Sequence, residues 1–256
     1  MRQLTAFTKK EFMELVRTGR LLLMAILFVL FGIMNPAIAK ITPWLMEFMA
    51  EDLAEAGMVV SAVKVDAMAS WTQFYKNVPM ALIIFIILFS GILASEYTKG
   101  TLINVLTKGL SRWKIVAAKT ISAAAVWTVG YWGCYGITYG YNAYFWDNRI
   151  ASHLFFAALC FYVAGLWLIS VIMLMSAVFS SSYAVLAGTG GVFLIFYLAG
   201  MFPKIGKFLP VKLMASSGLL VASGTPADFI PALAVTGVLT AAGLLLAVGV
   251  FNKKGI

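Results

Sequence analysis

Six long runs without a charged residue are the feature that most restricts how this chain can fold. Each run contains about 20 mostly apolar residues, the length that a helix needs to cross a bilayer core roughly 30 Å thick. An unpaired backbone group in lipid costs several kcal/mol, so such segments must be helical. The sequence therefore predicts an all-α integral membrane protein with six transmembrane helices. The predicted spans are about residues 21–39, 79–95, 120–141, 154–179, 183–202 and 230–251.

The composition leaves no room for a sizeable soluble domain. Hydrophobic residues make up 62% of the 256 positions, and only 11% are charged. We therefore expect one membrane domain over residues 1–256. The net charge of +9 comes from basic residues next to the ends of the apolar runs. There they match anionic membrane lipid, so lipid is an expected partner and nucleic acid is not.

The basic residues also predict an orientation in the membrane. If residues 1–20 are cytoplasmic, so are residues 96–119, 180–182 and 252–256. These segments contain twelve of the 19 basic residues but only three of the ten acidic ones. Positive residues favour the cytoplasmic side, so both termini are predicted to face the cytoplasm of a plasma membrane, which we expect to be bacterial.

Residues 1–20 have the pattern of an amphipathic helix that lies on the membrane surface. At about 100° per residue the apolar side chains, among them Leu4 and Val16, share one face and most charged side chains share the other. Glu11 and Met13 break this pattern. One interpretation is a simple topology anchor; the other is an elbow helix that passes force from a soluble partner into the first span. The residues predicted for that elbow helix are Phe7, Lys10, Glu11, Phe12 and Leu15.

The connection between the second and third runs, residues 96–119, is longer than a helical hairpin needs. Its apolar patch at 102–106 is too short to span a membrane, and Gly100 and Gly109 can delimit a short helix between them. Such a helix could dock on another protein. The alternative is a solvated basic loop, and the residue pattern alone leaves both open.

This segment resembles the ABC-2-type transporter permeases. The resemblance rests on Glu96, Gly100-Thr101-Leu102, Ser111-Arg112 and a lysine at the start of the third run, together with the layout of the whole chain. It implies a compact six-helix permease whose segment after the second span is a coupling helix seated in an ATPase subunit. It also implies a dimer with a second permease copy or homologue over two nucleotide-binding subunits. The coupling residues that it implies are Glu96, Gly100, Thr101, Leu102, Ile103, Leu106, Ser111 and Arg112.

The energy source is predicted to lie in another chain. The sequence contains no Gly-x-x-x-x-Gly-Lys-Ser/Thr phosphate loop, so ATP and Mg²⁺ are expected on the partner subunit, with no cofactor in this chain. The predicted spans contain no ionisable residue, which disfavours ion coupling. No nucleophile–base set or metal-ligand cluster is evident, so an enzyme or a metal site is not expected. The remaining alternatives are an ion-coupled secondary transporter and a non-transporting immunity or sensor subunit.

The third run is rich in aromatic and glycine residues. One account is an aromatic belt at the membrane interface together with close helix packing through small residues. The other is a path for an amphipathic substrate. Among compact members of the resembled family, peptide toxins, bacteriocins and other amphipathic antimicrobials are common cargo, and lipid-like molecules are a related possibility. The residues predicted for such a path are Trp127, Tyr131, Trp132, Tyr135 and Tyr139.

Overall fold

The computed structural model describes residues 2–50, 65–98, 100–107, 109–221 and 224–254, and these residues form helices and connections without a strand. Short 3₁₀ turns lie at Asn148–Ile150, Ser216–Val221 and Pro226–Phe229. The helices are α1 Arg2–Arg17, α2 Arg20–Phe48, α3 Ala67–Phe89, α4 Ala94–Thr98, α5 Thr101–Thr107, α6 Arg112–Phe145, α7 Leu154–Val178, α8 Ser182–Gly200, α9 Pro203–Gly206, α10 Pro210–Met214 and α11 Ile230–Lys253.

Five helical segments in the described residues are long and apolar enough to cross a membrane. They contain α2, α3 with α4, α7, α8 and α11, and they confirm an all-α membrane protein. The predicted third span lies in α6, which has 34 residues and contains many Tyr, Trp, Gly and Thr residues that make it less apolar than the other long helices. It packs along α2, α3 and α7. The count of six spans stays a prediction.

The helices extend past the predicted spans, and one predicted helix start is wrong. Pro79 was expected at the first position of the second helix, but α3 begins at Ala67, and Pro79 lies in its interior. The Asp66 carboxylate accepts hydrogen bonds from the backbone N–H groups of Met68 and Ala69, so this side chain caps the helix. A proline inside a membrane helix is tolerated because neighbouring groups satisfy the freed carbonyl.

The longer helices also contain basic residues, which lie outside the predicted charge-free spans. Arg20 and Lys40 belong to α2, Lys76 to α3 and Lys119 to α6. Arg20 lies at the start of its helix, and Lys40 and Lys76 are exposed, whereas Lys119 is almost fully buried. Lys119 is therefore the cationic side chain whose surroundings need an explanation.

The short helix predicted between Gly100 and Gly109 is present as α5. Both glycines have positive φ angles, 67° and 80°, which non-glycine residues rarely adopt. The two glycines therefore turn the chain sharply before and after α5. Leu102 on α5 is fully buried and anchors the helix against the bundle.

Four parts of the chain gather at one end of the helix bundle, which we call the α5 end: residues 2–20, the described residues of 91–119 (all but 99 and 108), 178–182 and 251–254. Lys119 binds Glu11, and Arg112 donates hydrogen bonds to carbonyl groups at the end of α11. Lys254 donates to the Ala177 and Val178 carbonyls at the end of α7. The segments predicted to share one side of the membrane thus lie at one end of the bundle.

The opposite end is closed by the long connection before α11. The backbone N–H of Ser152 donates to the Leu220 carbonyl, and Trp71 donates from Nε1 to Asn148 Oδ1. Within residues 203–221 and 224–229, Leu213 and Leu219 are fully buried, and α10 packs on α7. The described residues of this connection therefore form short helices packed onto the bundle.

Candidate coupling site at the α5 end

Three segments of the chain meet in a cluster of five charged side chains, which we call the charge cluster: Lys10, Glu11 and Glu14 of α1, Glu96 of α4 and Lys119 of α6. Lys119 Nζ lies 2.8 Å from Glu11 Oε2 and 3.1 Å from Glu96 Oε1. Lys10 Nζ lies 2.8 Å from the same Glu96 oxygen, 3.1 Å from Glu11 Oε1 and 2.9 Å from Glu14 Oε2. One carboxylate oxygen of Glu96 therefore joins α4 to both other helices.

The inner part of the charge cluster is shielded from solvent. The side chains of Lys119, Glu11 and Glu96 are 1%, 4% and 5% exposed, whereas Lys10 is 42% exposed. Glu96 Oε2 is buried without a hydrogen-bond partner among the described residues. Buried charges need such pairing, because removing one partner leaves an uncompensated charge at high cost.

The register of α1 explains why Glu11 enters the cluster. Phe7, Glu11 and Leu15 are 8%, 3% and 4% exposed, so the buried stripe repeats every four residues and includes the glutamate. Met13 and Val16 are 46% and 60% exposed in this chain. Of the two residues that break the apolar pattern of the sequence, Glu11 is thus the one that α1 places against Lys119.

Electrostatics at the rim of the cluster favour the ionised forms. Burial alone would lower the pKa of Lys10, but the hydrogen bonds to Glu96 and Glu14 raise its pKa above the usual value. Burial alone would raise the pKa of Glu14, but the hydrogen bond from Lys10 lowers it. Both effects stabilise the ion pair near neutral pH.

Three carboxylates of the cluster, from Glu11, Glu14 and Glu96, have oxygen atoms within 4.8 Å of one another. The ammonium groups of Lys10 and Lys119 bind these oxygens at 2.8 to 3.1 Å. Two fixed positive charges in that space oppose a metal cation. The geometry is that of an ion-pair network.

The predicted coupling residues occupy different positions on α5. Leu102 points inward, Leu106 is half-buried, and Gly100 and Thr101 are exposed. Ile103 is an apolar side chain that is 50% exposed. An exposed isoleucine on a short helix between two glycine turns is suited to insertion into a groove of another protein.

The other two predicted coupling residues, Ser111 and Arg112, begin α6. Ser111 stands before its first residue without a capping hydrogen bond from its side chain. Arg112 donates to the carbonyl groups of Phe251, Asn252 and Lys254 at 2.8, 3.2 and 2.5 Å. A cation at these carbonyl groups neutralises the negative end of α11. In this structure Arg112 thus binds this chain's own C-terminal helix.

The predicted substrate-path residues divide into two groups. Trp127 and Tyr131 are fully buried and donate hydrogen bonds to the α7 carbonyl groups of Tyr162 and Ala158. Trp132 and Tyr135 are half-buried beside them, and Tyr139 is 45% exposed. The first two positions fit helix packing within one protomer, and the path itself stays a prediction.

Lys119 was not among the predicted site residues, although the lysine at the start of the third run contributed to the family resemblance. A signal was present in the sequence. Lys119 follows Ile115 and Val116, two buried positions of the same helix, at helical spacing. A lysine on an apolar face in one segment and a glutamate on an apolar face in another indicate a buried pair.

A family model for the ABC-2 family transporter protein matches residues 5–216, from α1 through α10 and into the turn that follows. This chain belongs to the ABC-2 transporter family. It is also similar to the "Uncharacterized transmembrane protein YxlG" of Bacillus subtilis (strain 168), with 23% identity over 241 residues. That alignment covers 90% of this chain and 89% of the relative.

Membership in the family makes this chain a membrane-embedded permease subunit of an ABC transporter. Such a subunit is generally not catalytic itself and works with an ATPase partner. The matched residues include every member of the charge cluster and all of α5. The site at the α5 end therefore lies within the part of the permease that the family defines.

Proposed function

We propose that this permease is the membrane half of an ATP-driven exporter in a bacterial plasma membrane, and that α5 is its coupling helix. A separate nucleotide-binding subunit binds ATP and Mg²⁺ and receives α5 in a surface groove. The observation that supports this is the short helix itself, held between Gly100 and Gly109, buried at Leu102 and exposed at Ile103.

The assembly that follows is a dimer of permease chains, identical or homologous, over two ATPase subunits. The α5 end faces the cytoplasm, where ATP is available, and both ends of the described chain lie there. The excess of basic residues in the segments at this end supports that orientation. α1 lies at the lipid boundary as the elbow helix.

The cargo is an amphipathic peptide, such as a toxin, bacteriocin or antimicrobial, or a lipid-like molecule. The aromatic residues of α6 support this choice. Tyr139, Tyr141 and Tyr144 are 45%, 42% and 82% exposed in the single chain. Tyrosines combine an apolar ring with a polar hydroxyl, which suits a molecule with both kinds of surface.

An experiment on α5 tests the coupling assignment. The permease is purified with an affinity tag from host membranes, and co-purified ATPase subunit and vanadate-sensitive ATP hydrolysis are measured. Ile103→Glu should reduce both at least about tenfold, because a charge buried at an interface without a partner costs more than 1.4 kcal/mol. Export of a cationic amphipathic peptide from proteoliposomes should fall in parallel.

The matched control is Ile150→Glu, which makes the same change on another isoleucine that is 50% exposed. Ile150 lies in the 3₁₀ turn after α6, at the opposite end of the bundle. Its variant should keep the ATPase subunit and its activity. Equal co-purification with the Ile103 and Ile150 variants would show that α5 is not the docking helix.

A further inference from the structure

We propose that Lys119 is a positioning residue for coupling: through Glu96 and Glu11 it makes α4, α1 and the base of α6 move as one unit. This inference deepens the proposed function and rests on it, because α5 must receive the motion of an ATPase. Nothing about α5 alone explains how its displacement would reach the spanning helices.

The covalent path from α5 is short and leads directly to the charge cluster. Glu96 lies on α4, which precedes α5 by only a few residues, and Gly100 separates the two helices. Thr101 Oγ1 lies 3.5 Å from the Glu96 carbonyl oxygen, a weak link across that turn. A displacement of α5 therefore moves the Glu96 carboxylate.

One oxygen atom of Glu96 connects α4 to two other helices. Glu96 Oε1 accepts from Lys10 Nζ at 2.8 Å, which leads to α1, and from Lys119 Nζ at 3.1 Å, which leads to α6. Lys119 also donates to Glu11 Oε2 at 2.8 Å, so α1 and α6 are joined to each other. The three contacts form a closed loop of charge-assisted hydrogen bonds, which are stronger than neutral ones.

Lys119 occupies the central position of this loop. It lies seven residues into α6, about 10 Å along the axis from the first residue. Its side chain is 1% exposed, so water cannot replace its partners when the helices shift. Lys10, by contrast, is 42% exposed and can exchange its partners for water. The buried lysine is thus the member that keeps the three helices in register.

A second link between α6 and α1 provides a matched control. Lys114 Nζ donates to Gln3 Oε1 at 2.7 Å, but this hydrogen bond is exposed to solvent. It joins the same two helices without reaching Glu96. Removing it changes the charge of α6 as much as removing Lys119 does, while the loop through Glu96 stays intact.

The test measures whether α1 follows α4 during the ATPase cycle. Spin labels are placed at Lys9→Cys and Thr98→Cys, both exposed and outside the charge cluster. The distance between them is measured by EPR in nanodiscs, on the complex with its co-purified ATPase subunit. Measurements are made without nucleotide and after trapping with ADP and vanadate. The two native cysteines are buried in the bundle.

With Lys119 present, the label distance should be the same in both states, because α1 and α4 move together. Lys119→Met should make the distance shift on trapping, while the ATPase subunit still co-purifies. Lys119→Arg should restore the constant distance, and Lys114→Met should leave it constant. A shift in the unsubstituted protein, or no shift in Lys119→Met, overturns the proposal.

A variant that fails to fold is also informative. If Lys119→Met does not yield a monodisperse protein, it is combined with Glu11→Gln, which removes one of the two carboxylates left without their lysine while Lys10 still pairs with Glu96. This double variant also lacks the link through Lys119, so its label distance should shift on trapping. A constant distance in this variant, or its failure to fold as well, would show that the cluster is a packing element only.

Failure of the coupling role can be separated from failure of the proposed function. If no ATPase subunit co-purifies with the unsubstituted permease, the proposed function is wrong. The width of the label distance distribution without nucleotide then still tests the link. Lys119→Met should broaden it and Lys114→Met should not; equal widths overturn the proposal in that case too.

Discussion

Two buried polar clusters each join three helices of this permease, but one cluster is charged and the other is neutral. The charge cluster joins α1, α4 and α6 at the α5 end. The neutral cluster consists of Asn35, Asn77 and Thr138 and joins α2, α3 and α6 further along the bundle. Asn77 donates to Asn35 Oδ1 at 2.7 Å, and Asn35 donates to Thr138 Oγ1 at 3.0 Å.

The difference between the clusters lies in what happens when a partner is lost. An amide that loses one hydrogen bond in a membrane helix finds other weak partners, and such bonds contribute about 0.6 kcal/mol on average. A buried carboxylate that loses its lysine has no such substitute. The neutral cluster can therefore tolerate sliding between helices, whereas the charge cluster resists it.

Removal of Lys119 should have the largest effect on stability. Lys119→Met leaves two buried carboxylates with only the half-exposed Lys10 nearby, so we expect the free energy of unfolding to fall by about 3 to 5 kcal/mol. Denaturant unfolding in detergent measures this loss. Lys114→Met serves as the control and should cost less than about 1 kcal/mol, because its hydrogen bond is exposed. Similar costs for the two variants would contradict the buried pairing.

A double variant sharpens the same comparison. In the Lys119→Met background, Glu11→Gln removes one of the two orphaned charges while Lys10 still pairs with Glu96. We expect it to restore about 1 to 3 kcal/mol of unfolding free energy, because substitutions of contacting residues are not additive and differ from the sum by energies of this size. The sum of the changes in unfolding free energy for the two single variants is compared with the change for the double variant. Simple additivity would indicate that Glu11 and Lys119 do not interact.

The neutral cluster should respond more weakly. Asn35→Leu removes the central amide and is expected to lower the free energy of unfolding by about 1 kcal/mol. Thr42→Val on the same helix is the control, since Thr42 bonds, among the described residues, only to the Ile38 carbonyl of its own helix. A loss for Asn35→Leu as large as that of Lys119→Met would remove the distinction between the two clusters.

The smallest effect is expected at the exposed rim of the charge cluster. Glu14 is 37% exposed, and its pairing with Lys10 should contribute about 0.5 kcal/mol or less. Burial alone would raise the pKa of Glu14, but the hydrogen bond from Lys10 lowers it, so this contribution is present above the unfolded pKa of glutamate. It should disappear as the pH falls through the lowered folded pKa. Stability profiles of the wild type and Glu14→Gln should therefore converge in acid; a constant difference would refute the pairing.

Much of the fold was readable from the sequence, because a membrane helix must satisfy its backbone within one continuous segment. The apolar runs located the helices, and Gly100 and Gly109 located α5. Helix ends were less readable. Pro79 resembled a helix start, yet the true start is set by Asp66, thirteen positions before Pro79. A polar first half with buried Trp71 and Phe74 gives no hydropathy signal.

Only part of the charge cluster could be predicted from the sequence. Glu11 and Glu96 were both singled out, but for different reasons and in separate segments. Their meeting depends on how α1 crosses α6, and no local pattern of residues specifies a crossing between helices that are a hundred residues apart. Arg112 shows the same limit, since its carbonyl partners lie at the far end of the chain.

The binding of Arg112 and Lys254 to helix ends has a practical consequence for handling the protein. Lys254 bonds to two carbonyl groups of α7 and lies 4.1 Å from the Tyr97 ring centre, while Arg112 bonds to the Lys254 carbonyl. A fusion partner or purification tag attached right after this residue would compete for these contacts beside α5. Fluorescent reporters and affinity handles are better inserted through a flexible linker, or into the exposed turn near Ile150.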